Sequence, residues 1–303
     1  MRLEPLPTPA RTPSSLLRDY LCLTRPRILS LLLLTTLVGM VLAAEGFPSP
    51  TLVFWTLVGG YLVAGGAGAM NGALDWDLDR QMTRTRKRPV PNGRIAPTHA
   101  LWFGVGLCAL GGGILAVWTT VLAALLAMTG VLAYVLVYTQ WLKRTSRHNV
   151  VIGGSAGALP PLVGWAAVTG SVSPVALLLA ALIFCWTPPH FWSLAIIKRE
   201  EYARVGVPML PVVAGEQTTR QHIFRYTLVT VCLSLGLVLV AGNAVGWVYL
   251  LVALLAGSLF VAWAWVGWRR RGTTPTSTWG FYAYTLLYLA LLFSAMVLDK
   301  AVA

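Results

Sequence analysis

Charge is what this chain has least of. Only 11% of its 303 residues are charged, while 57% are hydrophobic. A water-soluble domain of that length has too small a core to hide so much apolar surface, so a soluble globular enzyme is excluded. The apolar runs also lack the strict polar–apolar alternation of membrane strands, which excludes a transmembrane β-barrel. Cysteine is scarce. Cys22, Cys108, Cys185 and Cys232 stand far apart and no pair has metal-ligand spacing. They read as small apolar packers, not as a disulfide framework or a thiolate metal site. The first twenty residues hold no apolar stretch, so a cleaved secretory signal is not expected.

What is present is a series of long apolar runs near 28–44, 51–70, 100–118, 120–140, 150–169, 174–197, 223–241, 246–267 and 279–298. Each is long enough, or nearly so, to cross a hydrocarbon core of about 30 Å as a helix. The stretch 100–142 carries no charge but is too long for one span; "GGG" at 111–113 and "TT" at 119–120 are its candidate breaks. The expected fold is therefore all-α, a bundle of nine transmembrane helices around a central cavity open to the cytoplasmic side. Residues 1–27 form a cytoplasmic N-terminal segment and 28–300 a single membrane-embedded domain.

The formal net charge of +13 suggests nucleic acid at first sight. Its distribution favours topology instead. With the N-terminus inside, the inner segments 1–27, 71–99, 141–149, 198–225 and 268–278 hold all of the 23 Lys and Arg except Lys300. The outer connections near 45–50, 170–173 and 242–245 hold none. Basic residues gather on the cytoplasmic side, so the N-terminus is expected in the cytoplasm and the C-terminus outside. All ten acids except Glu45 and Asp299 share that inner side. Any polar site must then open toward the cytoplasm.

The acids concentrate in "NGALDWDLDRQMTRTRKRPVPNGRI" (71–95). Asn71, Asp75 and Asp79 are spaced four apart and share one face if the second helix extends past the bilayer. Like charges at that spacing repel unless a cation sits between them. Mg²⁺ suits oxygen ligands and completes its shell with phosphate oxygens. The following Arg80, Arg84, Arg86, Lys87, Arg88 and Arg94 suit the remaining phosphate charge. A solvated, topology-anchoring loop is the plainer alternative; it explains the basic residues and leaves the aligned acids without a reason.

N-x-x-x-D-x-x-x-D after the second span of such a chain resembles the intramembrane aromatic prenyltransferase superfamily. "DRQMTRTRKRP" (79–89), "YTQWLKRTSRHNVVIGGSAGALPPLVGWAA" (138–167), "WTPPHFWSLAI" (186–196) and "EYARVGVPMLPVV" (201–213) resemble the branch of it that farnesylates haem. The resemblance covers roughly residues 20–300. It implies a bacterial inner-membrane enzyme using Mg²⁺ on Asn71, Asp75 and Asp79. The donor would be farnesyl diphosphate, and haem b the acceptor substrate, with water added next to the new bond. It further implies a downstream haem A synthase or terminal-oxidase assembly as recipient, and the lipid bilayer, not nucleic acid, as surroundings. Most of the superfamily carries a second D-x-x-x-D after the sixth span. This chain has "KREEYARVG" (198–206), where Glu201 and Tyr202 take the corresponding place.

The remaining candidates each carry two readings. Lys143, Arg144, Lys198 and Arg199 are topology anchors or anion contacts; the resemblance favours diphosphate binding by Arg80, Arg84, Arg88, Lys143, Arg144 and Lys198. Tyr134 and Tyr138 are interfacial tyrosines or an aromatic wall beside an allylic cation. "GGSAGALPP" (153–161) reads as close helix packing with a proline kink. His190, at membrane depth, is a packing histidine or a catalytic group that touches haem iron or moves a proton. His99, His148 and His222 lie at loop edges and carry little. "VGVPMLPVV" (205–213) is a cap over the cavity or an amphipathic connector. Two rival functions stand: prenylation of a quinone precursor or other aromatic acceptor, and a non-catalytic membrane haem carrier or transporter. The absent second cluster and the absence of a clear internal repeat weigh against them.

Overall fold

In the computed structural model, residues 13–44, 46–242, 245–270 and 275–302 are described. Residues 1–12 of the N-terminal segment, Glu45, 243–244 of the 242–245 connection, 271–274 and 303 lie outside them. The described residues form helices and no strand. The chain opens with α1 (Pro13–Thr24) and α2 (Pro26–Ala43), which meet at a 50° bend. Next come α3 (Pro50–Leu74), the short α4 (Trp76–Gln81) and α5 (Pro97–Trp118). α6 (Val121–Leu132) runs on through a π-helical stretch, Ala133–Leu142, into α7 (Lys143–Thr145). The fifth apolar run divides into α8 (Asn149–Gly157) and α9 (Pro160–Thr169). α10 (Pro174–Ile197) is followed by the short α11 (Arg199–Arg204) and α12 (Leu210–Val213). Three long helices end the chain, α13 (Glu216–Ala241), α14 (Trp247–Arg269) and α15 (Pro275–Val302). Eight spans are long and apolar enough to cross a membrane by themselves, and the bent α1–α2 pair makes a ninth.

Local chemistry sets the boundaries. α2, α3, α5, α9 and α10 each begin on a proline, whose missing N–H costs nothing in a first turn. Ser49, Thr120 and Ser173 cap α3, α6 and α10 by accepting the amides of Leu52, Ala123 and Ala176. The uncertain joint in 100–142 falls at Thr119–Thr120, not at the three glycines. Thr120 both caps α6 and donates to the Ala166 carbonyl of α9 (2.9 Å), so the break is anchored where a glycine run offers no bond.

Packing is ring-like: α3 lies on α5, α5 on α6, α6 on α9, α9 on α2, and α2 on α15. The ring continues from α15 to α14 and α10, with α13 against both of these. Small residues permit the closest approaches, as expected for membrane helices. A Cβ at Gly164 would sit 2.0 Å from the Thr36 carbonyl oxygen, and one at Gly39 would sit 2.4 Å from that of Pro161. The α2–α9 contact is thus backbone against backbone, and the kink at Leu159–Pro160 lets α9 follow α2.

The start of α14 and the end of α15 are tied together by a carboxylate. Asp299 of α15 is buried and accepts the amides of Gly246, Val248 and Tyr249 at the start of α14, at 2.7, 3.1 and 2.8 Å. Unpaired amides at a helix start and a negative charge complement one another. Asp299→Ala is expected to cost about 2 kcal/mol, the worth of a charge-assisted hydrogen bond. Thermal unfolding in detergent should show a lowered midpoint; an unchanged one would reduce Asp299 to a bystander.

Candidate active site

Asn71 lies in the last turn of α3, Asp75 at the joint with α4, and Asp79 in α4. The joint does not break their alignment. The Asp75 amide donates to the Asn71 carbonyl (2.9 Å) and the Asp79 amide to that of Asp75 (2.8 Å), so helical spacing continues through it. All three side chains are buried, at 3%, 1% and 4% exposure. The acids therefore need cations, as their spacing suggested, but this chain supplies them itself. Lys143 pairs with Asp75, and Arg88 donates to Asp79 Oδ2 at 2.7 Å. Those two ion pairs answer part of the acids' charge from within the chain, and Asp75 Oδ1 keeps no hydrogen-bond partner.

The π-helical stretch brings the fourth span to the acids. Its hydrogen bonds close five residues apart, so Tyr134 and Thr139, and Tyr138 and Lys143, stack along one face. Thr139 Oγ1 donates to the Tyr134 carbonyl (2.8 Å) and accepts Asn71 Nδ2 (3.0 Å). The same amide nitrogen donates to Asp75 Oδ2 at 2.7 Å. Tyr134 and Tyr138 stack with centroids 5.7 Å apart and planes 11° apart. The Tyr138 ring lies against Gly153 of α8, where a Cβ would come within 2.3 Å of it. Tyr138 also feels the charge of Asp75 and the phenol of Tyr202.

Arg25 is the site residue that sequence reading missed. It stands between α1 and α2 and is the only non-glycine with positive φ among the described residues, at 56°. An αL residue directly before a proline is strained, a state that persists only where surroundings over-determine it. Arg25 NH2 donates to Asn71 Oδ1 at 2.7 Å and NH1 to the Tyr134 hydroxyl at 3.4 Å. The one available signal was its place in "TRPR" (24–27), an arginine at the head of a span. Burial first, and then the nearby positive charge of Arg25, lower the Arg88 pKa from its ordinary value, while Asp79 opposes them. Cations are thus crowded here in slight excess, the setting for an anion.

Other candidates spread outward. Arg144 grips both oxygens of Asp77 (2.8 and 2.7 Å) and the Leu74 carbonyl (3.1 Å). That bond holds the Asp77 carboxyl below its usual range, so the tie is kept above ordinary carboxylate pKa values and lost only as pH falls through the lowered one. Arg80 and Arg84 are exposed. Lys198 pairs with Glu201 across one turn at 3.1 Å, and Tyr202 is buried. His190 does not join this network; its partners are on α10 and α15.

The acids fit a hard cation. Among the buried polar atoms, Asp75 Oδ1 and Glu201 Oε2 have no hydrogen-bond partner. No three His, Cys, Asp or Glu side chains cluster as a metal cage among the described residues. The free Asp75 oxygen in the row is a hard donor of the kind Mg²⁺ takes, and Mg²⁺ keeps several shell positions for water and substrate oxygens.

Comparison with known proteins places the chain by family and by fold. The profile described as the UbiA prenyltransferase family matches residues 32–292. A protein of Roseiflexus castenholzii named protoheme IX farnesyltransferase is 54% identical over 95% of this chain and 53% of its own length. One of the same name from Picosynechococcus is 46% identical over 94% of this chain and 90% of its own. The chain spans about half the length of the first curated relatives it matches. Among solved structures, a digeranylgeranylglyceryl phosphate synthase superposes with a TM-score of 0.78 at 16% identity, over 95% of this chain and 99% of that one. A UbiA homolog from Archaeoglobus fulgidus bound to GPP and Mg²⁺ gives 0.68 at 18%, over 92% and 99%. At these identities the structures speak for the fold.

Arg25→Gln is expected to weaken binding of Mg²⁺ and inorganic diphosphate by about tenfold to a hundredfold, the worth of one charged hydrogen bond. Calorimetry on the detergent-solubilised protein reads it. Unaltered affinity would leave Arg25 a helix cap alone.

Proposed function

The chain belongs to the UbiA prenyltransferase family, and from that premise we propose that it transfers the farnesyl group of farnesyl diphosphate to a vinyl group of haem b. The observation that carries this reading is the buried Asn71–Asp75–Asp79 row with surplus cations around it and stacked tyrosines beside it. The names of the curated relatives support the choice of donor and acceptor.

The chain's own groups divide the work. Arg25, Arg88 and Lys143 donate hydrogen bonds to the phosphate oxygens as the diphosphate enters. Lys143 turning from Asp75 to a phosphate leaves Oδ2 of that carboxylate with Asn71 alone, beside the already free Oδ1. Asn71, Asp75, Asp79 and Glu201 would hold Mg²⁺, which when bound supplies positive charge to the leaving diphosphate. The allylic carbon–oxygen bond breaks with its electron pair leaving on diphosphate. Tyr134 and Tyr138 present their faces to the positive charge that develops on the allyl group. The terminal vinyl carbon bonds to the farnesyl C1, and water adds at the neighbouring carbon with loss of a proton. Burial of the row keeps bulk water from the cation before the vinyl group reaches it.

The orientation belongs to the same proposal: a bacterial inner membrane, the N-terminus and 71–99 in the cytoplasm, the C-terminus outside. A reporter fused after Lys300 is expected outside and one within 71–99 inside; a cytoplasmic C-terminus would overturn the span count. For activity, the test is incubation with haem b, farnesyl diphosphate and Mg²⁺, read by product mass. Asp75→Asn and Asp79→Asn are each expected to lower turnover by about a hundredfold or more, as for loss of one transition-state charge contact. Near-wild-type turnover in both would remove the row from catalysis.

A further inference from the structure

We propose that His190 is the axial ligand for the iron of the porphyrin acceptor, with Thr285 as the residue that positions it. The inference rests on the acceptor assigned above and adds to it where the macrocycle docks.

His190 lies within the span α10, at 8% exposure. Its ring is clamped between two near-parallel aromatic faces. Trp186 lies at 4.6 Å and 15°, and Tyr282 of α15 at 4.6 Å and 23°. Phe191 stands edge-on at 5.4 Å. Trp186 is itself fixed, since its indole N–H donates to the Thr285 carbonyl at 2.8 Å. The imidazole therefore has a single orientation.

Hydrogen-bond accounting then selects its tautomer. A threonine hydroxyl has one proton to give. Thr285 gives it to the Tyr282 carbonyl at 2.6 Å. The 2.7 Å contact between Thr285 Oγ1 and His190 Nδ1 must then be Nδ1–H donating to oxygen. Nε2 is left with its lone pair. Among the described residues it has no hydrogen-bond partner, and it is not one of the sealed polar atoms, so it keeps open surface. Among the described residues no carboxylate or cation pairs with the ring, so no second member of a proton relay stands there.

A neutral imidazole with one nitrogen bare and the other donating to a fixed oxygen is the arrangement that metal-bound histidines adopt. The chain itself offers no further ligands beside it. That points to a metal arriving with its own equatorial donors, which is a metalloporphyrin. The histidine stands eight residues before Lys198, about 12 Å along the helix axis. A porphyrin held at His190 can thus extend one edge toward the ion-paired end of α10.

The test uses the purified full chain and ferric protohaem, followed by absorption and electron paramagnetic resonance. The wild type is expected to give a histidine-ligated spectrum. His190→Ala is expected to lose it and to bind protohaem at least about tenfold more weakly, the worth of about 1.4 kcal/mol. Added imidazole should restore the ligated spectrum in that variant. Metal-free protoporphyrin should bind wild type and variant alike, because only the iron contact is removed. Thr285→Val should weaken the ligated signal and Thr285→Ser should keep it; this pair reads the same contact without touching the ring. An unchanged spectrum in His190→Ala overturns the ligand assignment, and equal spectra for the two Thr285 variants overturn the positioning role. If wild type farnesylates haem while His190→Ala keeps its spectrum, this inference falls and the activity stands. If wild type neither binds nor converts haem, both fall.

Discussion

A carboxylate at 1% exposure, at the end of a membrane-spanning helix, is the constraint around which the rest arranges itself. Asp75 is stable as an anion only with its charge answered nearby, because desolvating it alone costs several kcal/mol. The answer comes from elsewhere in the chain: Lys143 from the end of the fourth span and Asn71 from its own helix. Asn71 is in turn held by Thr139 and Arg25. Satisfying one charge thus ties the head of the first span, the end of the second and the end of the fourth. Such a network has two uses. It ties these helix ends together, and in the proposed function it keeps cations beside acids in pairs that an incoming anion and metal can exchange.

The second centre follows a different physics. Among the described residues no charged side chain bonds to His190, and order comes from stacked rings and from hydrogen bonds that cross between α10 and α15. Two prolines, Pro188 and Pro189, sit directly before the histidine, yet α10 runs on to Ile197. Prolines remove amide donors there, and Thr187 and Ser193 bond back to the helix carbonyls of Ile183 and His190. The helix stays continuous through the prolines and carries the imidazole within the span.

Much of the fold was legible because hydropathy and punctuation are local. The apolar runs became the long helices, and the proline starts and Ser or Thr caps mark their ends. The acidic row was legible because helical periodicity survives the α3–α4 joint. Other features were beyond reach. The glycines at 111–113 looked like a break and lie inside α5, since glycine in an apolar span is tolerated where a neighbour packs on it. Thr139 and Lys143 fall on the face of Tyr134 and Tyr138 only in a π-helix, and nothing in a 3.6-residue reading announces one. Arg25 looked like any basic residue at a membrane edge.

The sequence by itself determined that this is a membrane bundle, which ends of the helices carry the charge, and that Asn71, Asp75 and Asp79 share a face. These are consequences of composition and of short-range spacing along one helix. Only the tertiary structure decided which cation answers which acid, that Arg25 reaches across 46 residues to Asn71, and that Thr285 chooses the tautomer of His190 across 95. The physical reason is that a buried polar atom must find a partner in space, and in a helical bundle the nearest partner is on another helix, at a sequence distance set by the packing.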